Sequence, residues 1–301
     1  MKISDYIVSE IGYNTYQINE RGICSFYMVI GQERGVLIDC GAGSIDARAI
    51  ADHLCPLPYD VLIGHAHGDH CGAINQWAQV YMHPDDAPIL ANNYRVNEQL
   101  WENPNIWRTG ANHKVRWPDG SIYEWPTMES GAKELFDFGN FRFMGVNPNK
   151  LPEILPLEDG QIFDLGKRTV TVVHMPGHTP GSCCFIDSGA RIAFTSDSFY
   201  MLCFSQNCSV KTTLGRLMHF NAYRDLFDRI YYGHTCCATC LSNFSLPASA
   251  LDDAIEICQG LLDGTQSYEK VQRRDRKLGS TSRGRIAEFM FDPERLTDPG
   301  E

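Results

Sequence analysis

Apolar and polar residues alternate with a period of two through residue 40, the pattern of half-buried strands. Residues 15–18, 25–30 and 35–39 read as three strands, the last two joined at Gly31-Gln32-Glu33-Arg34 as a hairpin. The turn Asp39-Cys40-Gly41-Ala42-Gly43-Ser44 follows. Spacing then becomes helical over 45–54, with Ser44 as the N-cap. Residues 59–63 form a short buried strand that delivers the chain into Gly64-His65-Ala66-His67-Gly68-Asp69-His70. A helix over 73–79 and a strand over 80–83 come next. Strand rhythm returns at 161–165, 168–174, 182–187 and 191–195, the last two joined through Ser188-Gly189-Ala190. Helices over 212–227 and 248–262 flank a strand at 229–232, and 285–291 is the last strand. Strands followed by helices, twice over, predict a layered α+β sandwich.

Between the halves the pattern breaks. All five tryptophans lie between Trp77 and Trp125, in company with Asn and Pro, so residues 91–150 read as an elaboration on the basic fold. The expected division is a domain over 1–265 containing that elaboration, with a C-terminal extension over 266–301 packing on it. The basic run from Lys270 to Arg285 carries seven cations against Asp275 and reads as a solvated helix face.

Composition narrows the partners. At 43% hydrophobic and 21% charged, 301 residues have a globular balance. No apolar run approaches the ~20 residues of a membrane-spanning helix. The start Met1-Lys2-Ile3-Ser4-Asp5 lacks a basic-then-apolar signal, so a cytoplasmic location is expected. A formal charge of −11 argues against nucleic acid, whose phosphates call for a basic surface. Twelve cysteines have no secreted-scaffold rhythm, and a domain of this size builds a core without disulfides. They read as buried thiols in a reducing compartment; Cys237-Ala238-Thr239-Cys240 is a CxxC without a second to complete a zinc site.

His65, His67, Asp69 and His70 place three imidazoles and a carboxylate within six residues. Such donors suit divalent zinc, manganese or iron. Where an extended chain leaves a strand, residues two apart point the same way, so His65 and His67 can grip one ion. A turn at Gly68 then lets Asp69 and His70 face a neighbouring ion. His178 lies in the loop Met175-Pro176-Gly177-His178-Thr179-Pro180-Gly181-Ser182, and Asp197 and His234 each follow a predicted strand. Strands lying side by side would bring all seven to one sheet edge. His53, His83, His113, His174 and His219 lack ligand spacing and read as surface or core residues.

In this motif set the sequence resembles the metallo-β-lactamase superfamily: HxHxDH at His65, His67, Asp69 and His70, then His178, Asp197 and His234 in family order, with the Asp39-Cys40-Gly41 turn. The resemblance spans roughly residues 12–235. It implies a four-layer αββα sandwich with two divalent metal ions, zinc first and iron or manganese as alternatives, at one edge of two sheets. By family pattern one ion takes His65, His67 and His178. The other takes Asp69, His70 and His234, and Asp197 bridges them. True β-lactamases of the superfamily lack an Asp at that position, whereas glyoxalase II-like thioesterases and quorum-quenching lactonases have one. Tyr200 matches a lactonase tyrosine that contacts the substrate carbonyl; a packed aromatic is the alternative.

The resemblance implies a bridging hydroxide that cleaves an ester-like bond, a thioester or lactone, in a small molecule. Asp69 would orient the nucleophile and pass its proton to the leaving group. Asp39 is placed to accept a ligand histidine's other N–H and fix its tautomer, or to serve as a turn aspartate. Trp101, Trp107 and Trp117, with Arg108, are candidates for a pocket wall; a homodimer interface or satellite core is the other reading of that segment. A non-haem di-iron or mono-iron oxidoreductase of the same superfamily, with sulfur or oxygen chemistry, is the alternative function. Neither nucleic acid nor membrane is an expected partner.

Overall fold

In the computed structural model of the chain, β1 (Tyr6–Gly12), β2 (Thr15–Glu20), β3 (Cys24–Ile30) and β4 (Gly35–Ile38) run antiparallel in sequence order. The structure describes residues 6–20, 24–90, 114–116, 122–124, 151–199, 202–204, 208–234, 245–272 and 278–298. Helix α1 (Ala47–Leu54) carries the chain across to β5 (Tyr59–Ile63), parallel to β4. Helix α2 (Gly68–Cys71) is a single turn, and β6 (Gln79–Met82) extends the parallel half. Strands β7 (Lys114–Arg116) and β8 (Ile122–Glu124) pair only with each other, while β9 (Glu153–Pro156) closes the seven-stranded first sheet beside β6.

The second sheet begins with β10 (Ile162–Asp164), β11 (Thr169–His174), β12 (Cys183–Asp187) and β13 (Ile192–Phe194), again antiparallel. Strand β14 (Leu202–Phe204) leaves this sheet, and helix α3 (Val210–Asn221) leads to β15 (Arg229–Tyr231), which returns parallel to β13. The two-residue β16 (Leu246–Pro247) precedes helix α4 (Ser249–Leu262). Strands β17 (Glu269–Gln272), β18 (Leu278–Arg283) and β19 (Glu288–Phe291) join β14 in a small sheet of their own.

Period-two alternation explains the layers. On β3, Tyr27 and Val29 face the second sheet while Phe26 and Met28 face α1. On β12, Cys183 and Phe185 meet the first sheet, and Cys184 and Ile186 meet α3, α4 and β19. Both sheets are therefore apolar on both sides, and the stack is α1, sheet, sheet, α3 with α4: the four-layer sandwich the sequence implied. Arg168 pins the layers at the end away from the strand termini used below. It pairs with buried Asp187 and donates to the Tyr13 and Ile30 carbonyls, 2.9 and 2.8 Å away. Among the described residues no helix is long and apolar enough to cross a membrane.

Several boundaries differ from the sequence pattern. The N-cap of α1 is Asp46, which accepts from Ala49 N at 2.9 Å; Ser44 is engaged by the Glu20 carboxylate instead. The expected helix over 73–79 is only a 3-10 turn at Ile74–Gln76, following α2. Helix α3 stops at Asn221 rather than 227, and a 3-10 turn at Arg224–Leu226 brings Phe227 back to stack on Phe220. The basic run 270–285, where described, lies in β17, in β18 and in the turn at Gly284-Arg285, not on a helix, because pairing with β19 governs it. Strand β19 starts late, since Arg285, Ile286 and Ala287 turn their N–H groups onto the buried Asp253 carboxylate of α4 at 3.0, 2.7 and 2.7 Å.

Candidate metal centre

Four strand ends converge. β5 leads into His65, His67, Asp69 and His70; β11 leads into the loop bearing His178; β13 is followed three residues on by Asp197, and β15 three residues on by His234. His67 Nδ1 and His178 Nε2 are 2.9 Å apart, and the His65 ring lies 4.7 Å from each of theirs. On the other side, His234 Nε2 lies 3.4 Å from His70 Nε2 and 3.4 Å from Asp69 Oδ2. Asp197 stands between the groups, its Oδ2 3.0 Å from His234 Nε2 and 3.6 Å from His178 Nε2. The two trios His65, His67, His178 and Asp69, His70, His234 each offer ligand atoms within 4.8 Å of one another, as do His65, His70 and Asp197. His65, His70 and Asp197 are buried, while Asp69, His178 and His234 are partly open to solvent.

Asp39 is hydrogen-bonded into this cluster. Its Oδ2 accepts from His70 Nδ1 at 3.1 Å and from Ser196 Oγ at 2.8 Å, and its Oδ1 accepts from Gly64 N at 2.7 Å. Because Ser196 gives its proton to Asp39, its oxygen takes the Nδ1–H of His65 at 3.0 Å. One carboxylate thus holds the Nδ1–H of two histidines, directly for His70 and through Ser196 for His65, and turns both Nε2 atoms inward. Ser196 escaped the sequence reading; its only signal was adjacency to Asp197 at a strand end. Gly233 also belongs to the site. A Cβ there would lie 2.3 Å from His70 Cε1 and 2.6 Å from Asp197 Oδ1, so a side chain would displace both.

The donor set fits divalent cations. His65 Nε2 is buried and makes no hydrogen bond among the described residues, and the same holds for Asp197 Oδ1, with His70 Nε2 3.5 Å away. Orphaned buried groups of this kind are costly unless something pairs with them. Burial pushes His65 well below the ordinary imidazole pKa, lowers His67, and brings His178 down to about 4. These three imidazoles are neutral at neutral pH. Burial acts the same way on His70 and His234, but the adjoining carboxylates of Asp197 and Asp69 outweigh it. They hold His70 well above its ordinary value and raise His234 to about 9. Burial would raise Asp69 and Asp197 in turn, yet those imidazoles keep both carboxyls below the usual range. A cation entering this second half replaces protons.

A further group, His83, Asp85 and His174, also comes within 4.8 Å. Its imidazoles are stacked 3.9 Å apart and 8° from parallel, and His174 Nε2 is bonded to Pro180 O at 2.9 Å. Parallel rings aim their lone pairs side by side, not at one point. Tyr200, Trp101, Trp107, Trp117 and Arg108, and the Cys237–Cys240 pair, lie outside the described residues.

The family model for the metallo-beta-lactamase superfamily matches residues 19–206. The Bos taurus protein named acyl-coenzyme A thioesterase MBLAC2 is 27% identical over 252 residues, 76% of this chain and 81% of the relative. The Homo sapiens protein of the same name is 26% identical over the same shares. Among solved structures, a double mutant of the sec-alkyl sulfatase PisA1 aligns with a TM-score of 0.56 and 14% identity over 86% of this chain. The chain spans only 42% of that longer protein, and the likeness bears on fold alone.

Proposed function

Because the chain belongs to the metallo-beta-lactamase superfamily, we propose that it is a metal-dependent hydrolase of an ester-like bond in a small molecule, a thioester before a lactone. The observation that carries this reading is Asp197 lying within 3.0 to 3.6 Å of a histidine from each of two ligand trios. Naming of the bovine and human relatives as acyl-coenzyme A thioesterases supports the choice of bond. His65, His67 and His178 would hold one cation, Asp69, His70 and His234 a second, and Asp197 would reach both. Zinc is the first choice for neutral imidazole and carboxylate donors.

Bound divalent cations would make an ionised water available near neutral pH, lowering its pKa from ~15.7 toward ~7, and polarise a carbonyl oxygen. The chain's own groups do the rest. Asp69, ionised and 18% exposed beside the centre, is placed to hold the nucleophile's proton and hand it to the departing group. A thiol leaves readily, since its pKa is only ~8.5, so this transfer asks little of a carboxylate. Tyr200 is the candidate for the carbonyl contact. Trp101, Trp107 and Trp117 would line an acyl pocket, and Arg108 would meet an anionic portion of the substrate.

The reading is tested by offering the zinc-loaded protein an acyl-coenzyme A, a lactone, a β-lactam and a phosphodiester, with release of free thiol reporting the first. Thioester turnover that a chelator abolishes and zinc restores is expected, with about two zinc ions per chain. Asp69→Ala should remove that turnover. Phosphodiester cleavage without thioester cleavage would overturn the reading, and stoichiometric iron with dioxygen consumption would replace it by redox chemistry.

A further inference from the structure

Asp86 lies at the end of the 3-10 turn Pro84–Asp86, directly after β6, and its side chain is fully buried. A carboxylate withdrawn from water must be met by donors. Here all three described donors come from the two loops that carry the first histidine trio. Oδ2 accepts from Ala66 N at 2.8 Å and from Thr179 Oγ1 at 2.8 Å; Oδ1 accepts from Gly181 N at 2.7 Å.

Ala66 stands between His65 and His67. Its N–H, drawn toward Asp86, fixes the extended backbone that sends both imidazoles to the same side. Thr179 and Gly181 bracket the turn that follows His178, and the Thr179 hydroxyl and its N–H also meet Ser182 Oγ at 2.7 and 2.9 Å. At Gly181 a Cβ would lie 2.8 Å from three Asp86 atoms, so the carboxylate reaches this loop only because a glycine stands there. The same two segments touch a second time, where His83, three residues before Asp86, stacks on His174 at the head of the His178 loop.

From these contacts we propose that Asp86 is a positioning residue that sets the separation of the His65–His67 segment and the His178 loop, so that their three imidazoles converge on one cation. This rests on the metal-dependent reading above. Asp86 meets no ligand atom itself; it acts through Ala66, Thr179 and Gly181. An isosteric Asn must turn its amide N–H₂ toward either Ala66 N–H or Gly181 N–H, so one of the two loops loses its backbone anchor. The half built from Asp69, His70 and His234 receives no described bond from Asp86 and should be spared.

Cobalt(II) titration of the full chain, with a chromophoric chelator as competitor, reads the two sites separately. Asp86→Asn should bind one cobalt with the affinity of the unchanged protein and the other about 10–100-fold more weakly, with the visible band of the weakened site altered. Thr179→Val deletes one donor and leaves the carboxylate its two backbone partners. It should show the same one-site loss at smaller size, and it carries the test where Asp86→Asn does not fold. Leu251→Ala, on the distant α4 face, should lower the denaturation midpoint without changing either cobalt affinity. Two cobalt ions bound with unchanged affinity by folded Asp86→Asn, or equal weakening of both sites, would overturn the proposal. An unchanged protein that binds no cobalt would instead overturn the metal-dependent reading on which it rests.

Discussion

Ser196 shows how much can hang on one hydroxyl. Its oxygen stands between Asp39 and His65, giving a proton to the first and taking one from the second. The backbone pays for that placement with a φ of +46°, outside the usual range for a side-chain-bearing residue. Alanine tolerates this conformation no better than serine, so in Ser196→Ala the strain cancels and only the relay is lost. His65 Nδ1–H then has no acceptor, and its ring is free to flip the wrong nitrogen inward. Outer partners of ligand histidines are worth about 10–100-fold in metal affinity or activity. Ser196→Ala should fall in that range by chelator competition while keeping its circular dichroism spectrum; unchanged affinity would show that packing alone orients His65.

The elements around the centre depend on anchors that sequence pattern does not display. Glu20 is buried at the end of β2, and its carboxylate accepts from Ala42 N at 2.7 Å, Ser44 N at 2.6 Å and the Ser44 hydroxyl. That bond set shapes the 40–44 turn. The turn is tied in sequence to α2 and His70 through Cys40 N to His70 O at 2.8 Å and Gly72 N to Gly41 O at 2.7 Å. Glu20→Gln replaces an acceptor oxygen by a donor facing other donors, which costs about 1–3 kcal/mol for each buried group left unmet. The expected outcome is an unfolding free energy, read from urea denaturation, lowered by an amount in that range. Strands were legible where both faces are buried, as in β3 and β12, or where alternation is strong, as in β11. Strand β1 was not: Tyr6 and Val8 are exposed on a sheet edge, so its apolar residues do not sort by face. Strand β9 is a four-residue edge strand whose partner β6 lies about 70 residues earlier, and only tertiary pairing defines it. The ligand cluster could be read because strand ends confine it to short motifs. Asp86 and Ser196 could not, because neither carries a local pattern and their partners lie up to 157 residues away.

At the scale of the whole molecule the centre ties two sheets together. His65, His67, Asp69 and His70 follow β5 of the first sheet; His178, Asp197 and His234 follow β11, β13 and β15 of the second. An unfolded chain does not hold these groups at 3–4 Å from one another, so a cation that uses them binds the folded state alone. Linkage then fixes the sign and the size. Each site adds RT ln(1 + [L]/Kd) to stability, about 1.4 kcal/mol per tenfold of free metal above its Kd and about 4 kcal/mol at a thousandfold excess. The denaturation midpoint should therefore rise with free zinc once the Kd is passed, and a chelator should reverse it. In Ser196→Ala the part of the rise owed to the His65 site should begin at a free zinc concentration about 10–100 times higher, because weaker affinity moves that site's onset and not its slope. A midpoint indifferent to zinc, in a chain whose fold and ligand geometry are intact, would mean that the seven groups meet without gripping an ion. Equal rises in both proteins at one concentration would show that the grip on the ion does not depend on the Ser196 hydroxyl.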